Sequence, residues 1–208
     1  MQGSLNPSSY QAPYSETPGI GLRPGEVTFD IEYPDRLSRG LIFIKWLLVI
    51  PHLVIMYFLG IATGVVTFIA WFAILFTGRY PRGMWDFSLM AQHWTSNVST
   101  YLLLMRDEYP PFGAEPYPVR YEVVYPEHLS RGLIFIKWLL IIPHLIVLAI
   151  LGIAVAFVWF ISWFAILFTG GYPRGMFDFM VGFFRWAVRV NLYFNLLTDI
   201  YPPFSMEP

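Results

Sequence analysis

An internal repeat constrains this chain more than any other feature. The eleven residues from Ser38 to Leu48, Ser-Arg-Gly-Leu-Ile-Phe-Ile-Lys-Trp-Leu-Leu, return unchanged as Ser130 to Leu140, an offset of 92. The offset holds without a gap from Tyr33/Tyr125 to Phe112/Phe204, and 49 of those 80 aligned positions are identical. The identities are uneven: 40 of 55 from Tyr33 to Phe87, but 9 of 25 from Ser88 to Phe112. A period of this length means two copies of one supersecondary unit, and the unevenness separates what both copies need alike from what has been free to differ.

Each copy holds a run of 37 residues, Leu41 to Thr77 and Leu133 to Thr169, in which Lys45 and Lys137 are the only full charges. With 56% hydrophobic and only 13% charged residues, the chain is short of the charge that a soluble domain of 208 residues places on its surface. An integral membrane protein follows. The net charge of −1 gives no basic excess for nucleic acid, and the absence of cysteine excludes disulfides and thiolate metal sites. Residues 1–25, rich in Ser, Pro, Gly and Gln, lack the basic and apolar regions of a cleaved signal peptide and read as a disordered tail. Two membrane units follow, 26–112 and 113–208.

Each unit reads in four parts. The first is a short alternating stretch, Val27, Phe29, Ile31 and Tyr33 in one copy and Val119, Tyr121, Val123 and Tyr125 in the other. This is the period of half-buried strands able to pair antiparallel at the membrane surface. A turn follows, with Ser38 and Ser130 as N-caps. The third part is the apolar run. As one helix it would measure about 55 Å against a hydrocarbon core of about 30 Å, so the sequence predicts a split near Gly60 and Gly152 into two crossings, with Pro51 and Pro143 kinking the first. Two crossings also place Arg36, Arg39, Lys45, Arg79 and Arg82 on one side, as the positive-inside rule requires. A re-entrant wedge is the alternative, because the tips at Gly60 and Gly152 carry no polar turn residue. The fourth part, Arg82 to Met105 and Arg174 to Leu197, patterns as an amphipathic helix in the interface. The expected fold is all-α integral membrane: two tandem transmembrane hairpins (four transmembrane helices), each followed by an amphipathic interfacial helix and preceded by a short surface strand.

Spaced motifs support a family assignment. At Tyr33-Pro34, Leu37-Ser38-Arg39-Gly40, Lys45-Trp46-Leu47-Leu48, Ile50-Pro51-His52, Phe76-Thr77-Gly78-Arg79-Tyr80-Pro81-Arg82-Gly83 and Tyr109-Pro110-Pro111-Phe112, the chain resembles a family of bacterial membrane proteins known as a domain of unknown function, often in tandem copies. The second copy departs from the pattern at Gly171, where the first has Arg79. The resemblance implies a bacterial membrane protein and carries over no catalytic or ligand residue.

His52 and His144 are the residues that could serve a cofactor, as axial ligands to a haem or a chlorin magnesium. The structural reading is preferred: each follows a proline that frees a backbone carbonyl one turn back for it to bond. No second His or carboxylate stands at i+3 or i+4, so no metal site and no cofactor is expected. Snorkelling to the headgroups explains Lys45 and Lys137. Arg82/Asp86 and Arg174/Asp178 are spaced as helical ion pairs, and anionic headgroups could compete for Arg82 and Arg174 as well as for Arg39 and Arg131. Gly60 and Gly64 have the spacing that permits close helix approach. No nucleophile–base pair, phosphate loop or carboxylate dyad is visible, so an enzyme is not expected.

The leading expectation is a non-enzymatic membrane scaffold or accessory subunit of a larger complex, its like hairpins anchoring it and its divergent helices facing partners. A lipid-binding or curvature-shaping hairpin protein is the alternative, and a small transporter or channel the third. Membrane lipids and other membrane subunits are the expected partners. The expected location is the bacterial inner membrane, multi-pass, with a cytoplasmic amino terminus.

Overall fold

The computed structural model describes residues 22–208 except 114, so most of the tail lies outside the described residues. Each copy contributes a strand, a one-turn helix, a long helix and a shorter returning helix. In the first these are β1 (Val27–Ile31), α1 (Lys45–Leu48), α2 (Ile50–Thr77) and α3 (Arg82–Leu102). In the second they are β2 (Val119–Val123), α4 (Lys137–Leu140), α5 (Ile142–Thr169) and α6 (Arg174–Phe194).

The expected split of each apolar run does not occur. Gly60 and Gly152 lie inside continuous 28-residue helices, so the described residues hold two helices long and apolar enough to cross a membrane, Ile50–Thr77 and Lys137–Thr169, and not four. The physics is plain in retrospect. A glycine costs a helix about 1 kcal/mol, whereas a turn in an apolar setting strands several backbone groups without partners. Pro51 and Pro143 do not kink a helix either. They stand in its first turn, where a missing N–H goes unnoticed. Ser38 and Ser130 accept only long contacts of 3.4 Å from Leu41 and Leu133, at the 3₁₀ turn ahead of α1 and α4 rather than at the long helix. Each long helix stops at a left-handed glycine, Gly78 (φ 72°) or Gly170 (φ 74°), whose N–H closes on Ile74 or Ile166 at 2.8 Å.

The strands pair antiparallel, as their alternation predicts, with Val27 opposite Val123 and Ile31 opposite Val119. Phe29 and Tyr121 are equivalent in the repeat and are also paired with each other. A pseudo-two-fold axis therefore runs through this pair, perpendicular to the ribbon. Reciprocal contacts between the copies follow it. Leu37 N–H reaches Gly170 O at 2.9 Å and Leu129 N–H reaches Gly78 O at 2.8 Å. Phe43 meets Trp163 edge-on at 5.0 Å, and Phe135 meets Trp71 at 5.1 Å. The Tyr33 hydroxyl donates to Tyr172 O and the Tyr125 hydroxyl to Tyr80 O. The two repeat units thus interlock and share one core.

That core lies between the ribbon and α3/α6. Phe29, Ile31, Val119 and Tyr121 are buried on the inner face of the ribbon, while Thr28, Asp30, Arg120 and Glu122 are exposed on the outer one. The helices expected at the periphery are inside. Only Arg82 and Gly83 of α3 are exposed, and its buried set includes Ser88, His93, Asn97 and Thr100. The polar and apolar stripes read from the sequence therefore do not divide water from core. On α3, His93 faces Tyr121 of the ribbon whereas Trp94, Val98 and Tyr101 pack towards α2. By contrast α2 buries only His52, Thr63, Ala70 and Ile74, and α5 only His144, Val155, Ser162 and Ile166. Their remaining apolar side chains are exposed or half-exposed. Gly60 and Gly64 have open space where a Cβ would stand, so they bring no helix close.

Candidate functional site

Three groups of polar side chains stand out, and the first was missed from the sequence. Lys45 does not snorkel. It is buried, its ammonium 2.8 Å from Asp107 Oδ1, donating to Arg106 O at 2.6 Å and lying 4.8 Å from the centre of the Tyr101 ring. Asp107 Oδ2 in turn accepts the Ser38 N–H at 2.5 Å. Lys137 repeats the arrangement with Asp199 (2.7 Å), Thr198 O (2.6 Å), Tyr193 and the Ser130 N–H. Backbone geometry delivers these carboxylates. After α3 and α6 the chain turns back through Leu104 (φ 65°) and Leu196 (φ 63°), left-handed positions normally given to glycine. Met105 N–H and Leu197 N–H close the turns on Thr100 O and Leu192 O. A buried ion pair holds if both partners stay, and costs heavily when one is removed. This clamp ties the entry of each apolar helix to the exit of its returning helix.

The second group is His52 and His144. Neither bonds a carbonyl one turn back. The indole N–H of Trp94 donates to His52 Nδ1 at 3.2 Å, and that of Trp186 to His144 Nδ1 at 3.0 Å. The rings are stacked under the returning Tyr-Pro-Pro-Phe segments, Phe112 at 4.2 Å from His52 and Phe204 at 3.9 Å from His144. Accepting from an indole fixes the remaining proton on Nε2, which is buried in both copies with no hydrogen-bond partner among the described residues. A macrocycle metal would have to reach Nε2, which means lifting the aromatic segment first. The geometry fits a joint that locks α2 to α3 and α5 to α6 better than an open ligand position. Among the described residues, no three of His, Cys, Asp and Glu gather closely enough to hold a metal ion.

The third group differs between the copies. His93 and Asn97, one turn apart on α3, are buried, and among the described residues their side-chain polar atoms have no hydrogen-bond partner. Burial holds the His93 imidazole below the ordinary histidine range, against a smaller opposing pull from the Val119 backbone. Their counterparts are Arg185, which bonds Phe29 O and Asp30 Oδ1 at 2.9 Å each, and Arg189, which bonds Ser205 O and Glu207 O at 3.4 and 2.8 Å. Burial pushes the Arg189 guanidinium down. On the same side a cleft of about 480 Å³ is lined by Asp30, Glu32, Arg120, Arg174, Asp178 and Arg185 among others.

The four arginines singled out for headgroups lie exposed at the two ends of the helix pair. Arg39 lies beside Gly170, and Arg174 over the Tyr33 ring at 4.5 Å. Arg131 lies beside Gly78, and Arg82 over the Tyr125 ring at 4.6 Å. The expected ion pairs form, Arg82–Asp86 at 3.1 Å and Arg174–Asp178 at 3.2 Å. Because each apolar run is one helix, the arginines before and after it stand at opposite ends, and the charge argument for a cytoplasmic amino terminus loses its basis.

The model of one protein family, described as Domain of unknown function (DUF4389), matches the chain twice, over residues 39–114 and 131–206. The chain belongs to this family, as two tandem copies. Neither the curated proteins nor the solved structures contain a match.

Proposed function

We propose that this member of the DUF4389 family is a non-enzymatic membrane protein whose working surface faces lipid. One observation carries the reading: the exposed surface of α2 and α5 is apolar from end to end, with Tyr57, Phe58, Phe68, Phe76, Phe157 and Phe168 each more than 60% exposed. A patch of this size marks a membrane or a partner of equal greasiness. Exposed arginines bracket it, and the Arg82–Asp86 and Arg174–Asp178 contacts are surface pairs worth no more than about 1 kcal/mol, which a lipid phosphate can displace. The partner-facing role expected of α3 and α6 loses weight, because most of their divergent side chains are buried or half-buried.

The test is purification in mild detergent followed by mass spectrometry of retained lipid. Phosphatidylglycerol or another anionic lipid is expected to stay bound, and to be lost when Arg39, Arg82, Arg131 and Arg174 are replaced by Gln. Retention of neutral lipid alone, unchanged by the substitutions, would defeat the anionic part of the reading. Recovery from the soluble fraction of lysed cells would defeat all of it.

An accessory-subunit role is the second reading, supported by the charged cleft beside the ribbon. A stoichiometric partner lost on Arg120→Glu would favour it. The transporter reading gains no comparable support, since the two copies do not share a polar interior.

A further inference from the structure

We infer that α2 and α5 do not cross the bilayer but lie in the plane of one leaflet, with the ribbon turned towards water. This inference rests on the membrane reading above and goes beyond it, because both helices are long and apolar enough to span.

The geometry comes from the pseudo-two-fold axis. Points related by a two-fold stand at the same height along it. Phe43 and Phe135 are one such pair, and Trp71 and Trp163 another. Phe43 touches Trp163, and Phe135 touches Trp71, so all four share one height to within the reach of a side chain. Leu37 and Gly170 are joined backbone to backbone, as are Leu129 and Gly78, and give the same result at the far ends. The helical path from Phe43 to Trp71 covers about 40 Å at 1.5 Å per residue. A path that long which begins and ends at one height runs perpendicular to the axis. Both long helices therefore lie in a plane normal to the axis, antiparallel to each other, and the ribbon lies parallel to that plane.

Two placements in a membrane respect this symmetry. If the helices span, the axis lies in the membrane plane at its middle and leaves the molecule through the outer face of the ribbon. Asp30, Arg120 and Glu122, exposed on that face, would then look into hydrocarbon near the bilayer centre, among the costliest places for charge. If the helices lie flat, the axis is the membrane normal and the same side chains face water.

Length and charge agree with the second placement. Exposed apolar side chains continue from Phe43 to Phe76, about 50 Å of helix against a hydrocarbon core of about 30 Å, whereas a helix in the plane has no such limit. Arg36, Arg39 and Arg174 gather at one end of the pair, and Arg79, Arg82 and Arg131 at the other. Spanning would divide these six equally between two compartments, against the positive-inside rule. Lying flat sets all six at the headgroup level of one leaflet, where anionic phosphates complement them. It also gives the two near-identical copies identical surroundings.

The chain has no cysteine, so single cysteines report cleanly. Val54→Cys, Ile61→Cys and Phe68→Cys are spaced seven apart at exposed sites on α2, and each would carry a spin label in vesicles of phosphatidylethanolamine and phosphatidylglycerol. A flat helix gives three equal depths; a spanning one gives steps of about 10 Å. Asp35→Cys and Glu127→Cys, equivalent exposed sites at opposite ends, report sidedness to an impermeant maleimide and burden neither fold nor core. Equal depths with both ends labelled from one side are expected. Stepped depths with the ends labelled from opposite sides would overturn the inference and leave the membrane reading intact. Release of the unmodified protein by a carbonate wash, with labels that sense no lipid, would overturn both.

Discussion

The two copies are alike where they clamp and unlike where they fill. Only nine positions match between Ser88–Phe112 and its repeat, and they are Trp94, Val98, Tyr101, Leu104, Asp107, Tyr109, Pro110, Pro111, Phe112 and no others. Most of these close on Lys45 or His52: Asp107 and Tyr101 on the lysine, Trp94, Tyr109 and Phe112 on the histidine. Leu104 shapes the turn that brings them there. Between these fixed points the interior has diverged. Copy one places Met90, His93 and Asn97 where copy two has Gly182, Arg185 and Arg189. The difference teaches that the repeat is a frame held by two polar joints. What fills the frame can be apolar, polar and unpaired, or cationic and tied to backbone carbonyls.

The largest expected effect tests whether the clamps are equivalent. Lys45→Met leaves Asp107 without its cation, and Lys137→Met does the same to Asp199. Breaking a buried pair costs 3–5 kcal/mol at full burial; with the carboxylates 24% and 28% exposed, about 2–3 kcal/mol is expected in each case. Thermal unfolding in detergent should show two nearly equal losses. A loss in one copy only would mean that the shared geometry conceals unequal roles.

A smaller effect should appear in one copy alone. A Cβ at Gly182 would stand 2.8 Å from Met206 Cβ and 3.2 Å from Met206 O, because the segment held by Arg189 lies directly on α6 there. Gly182→Met, which installs the residue of copy one, should cost about 1–3 kcal/mol and expose residues 205–208 to protease. Unchanged proteolysis would show that the segment does not depend on this contact.

Arg185 and His93 occupy equivalent positions with opposite satisfaction. Arg185→Met removes bonds to Phe29 O and Asp30. Since Asp30 is more than half exposed, about 1 kcal/mol is expected from unfolding measurements. His93→Met removes only the weak pull of the Val119 backbone and should cost little or stabilise. Equal losses at the two positions would mean that His93 has a partner in solution that the bonding pattern does not show.

Much of this frame was legible in the sequence, and the unread parts have physical causes. Period-two alternation gave the strands and their pairing, because one face of a ribbon must be apolar. The repeat offset also placed the returning helices and the ion pairs Arg82–Asp86 and Arg174–Asp178. The continuity of α2 and α5 was not legible, because a glycine and a membrane thickness argue for a break that backbone hydrogen bonding overrules. Lys45–Asp107 joins residues 62 apart across a left-handed leucine turn, beyond the reach of any local spacing rule. A signal existed nonetheless. The nine survivors in a divergent stretch included an aspartate and a tryptophan, and a group both copies keep amid drift is a group that touches something both copies share. The inward placement of α3 and α6 was hidden because their polar residues mimic a water-facing stripe.

The smallest effect concerns pH and separates the copies again. At 5% exposure, burial outweighs the weaker pull of the Val119 backbone, so His93 in the folded chain has its pKa lowered from 6.5. Below that value the unfolded chain takes up the proton while the folded one resists, so the unfolded state binds more protons and stability falls as pH falls. Copy two holds Arg185 at the equivalent site and so has no imidazole there to contribute this slope. His93→Leu should therefore flatten the decline in melting temperature between about pH 7 and pH 5, with little change or a slight gain above pH 7, whereas Arg185→Met, which removes no imidazole, should leave the slope in place. If the slope survived in His93→Leu, the acid sensitivity would belong to other groups. The unpaired interior of copy one would then be tolerated polarity with no titration of its own.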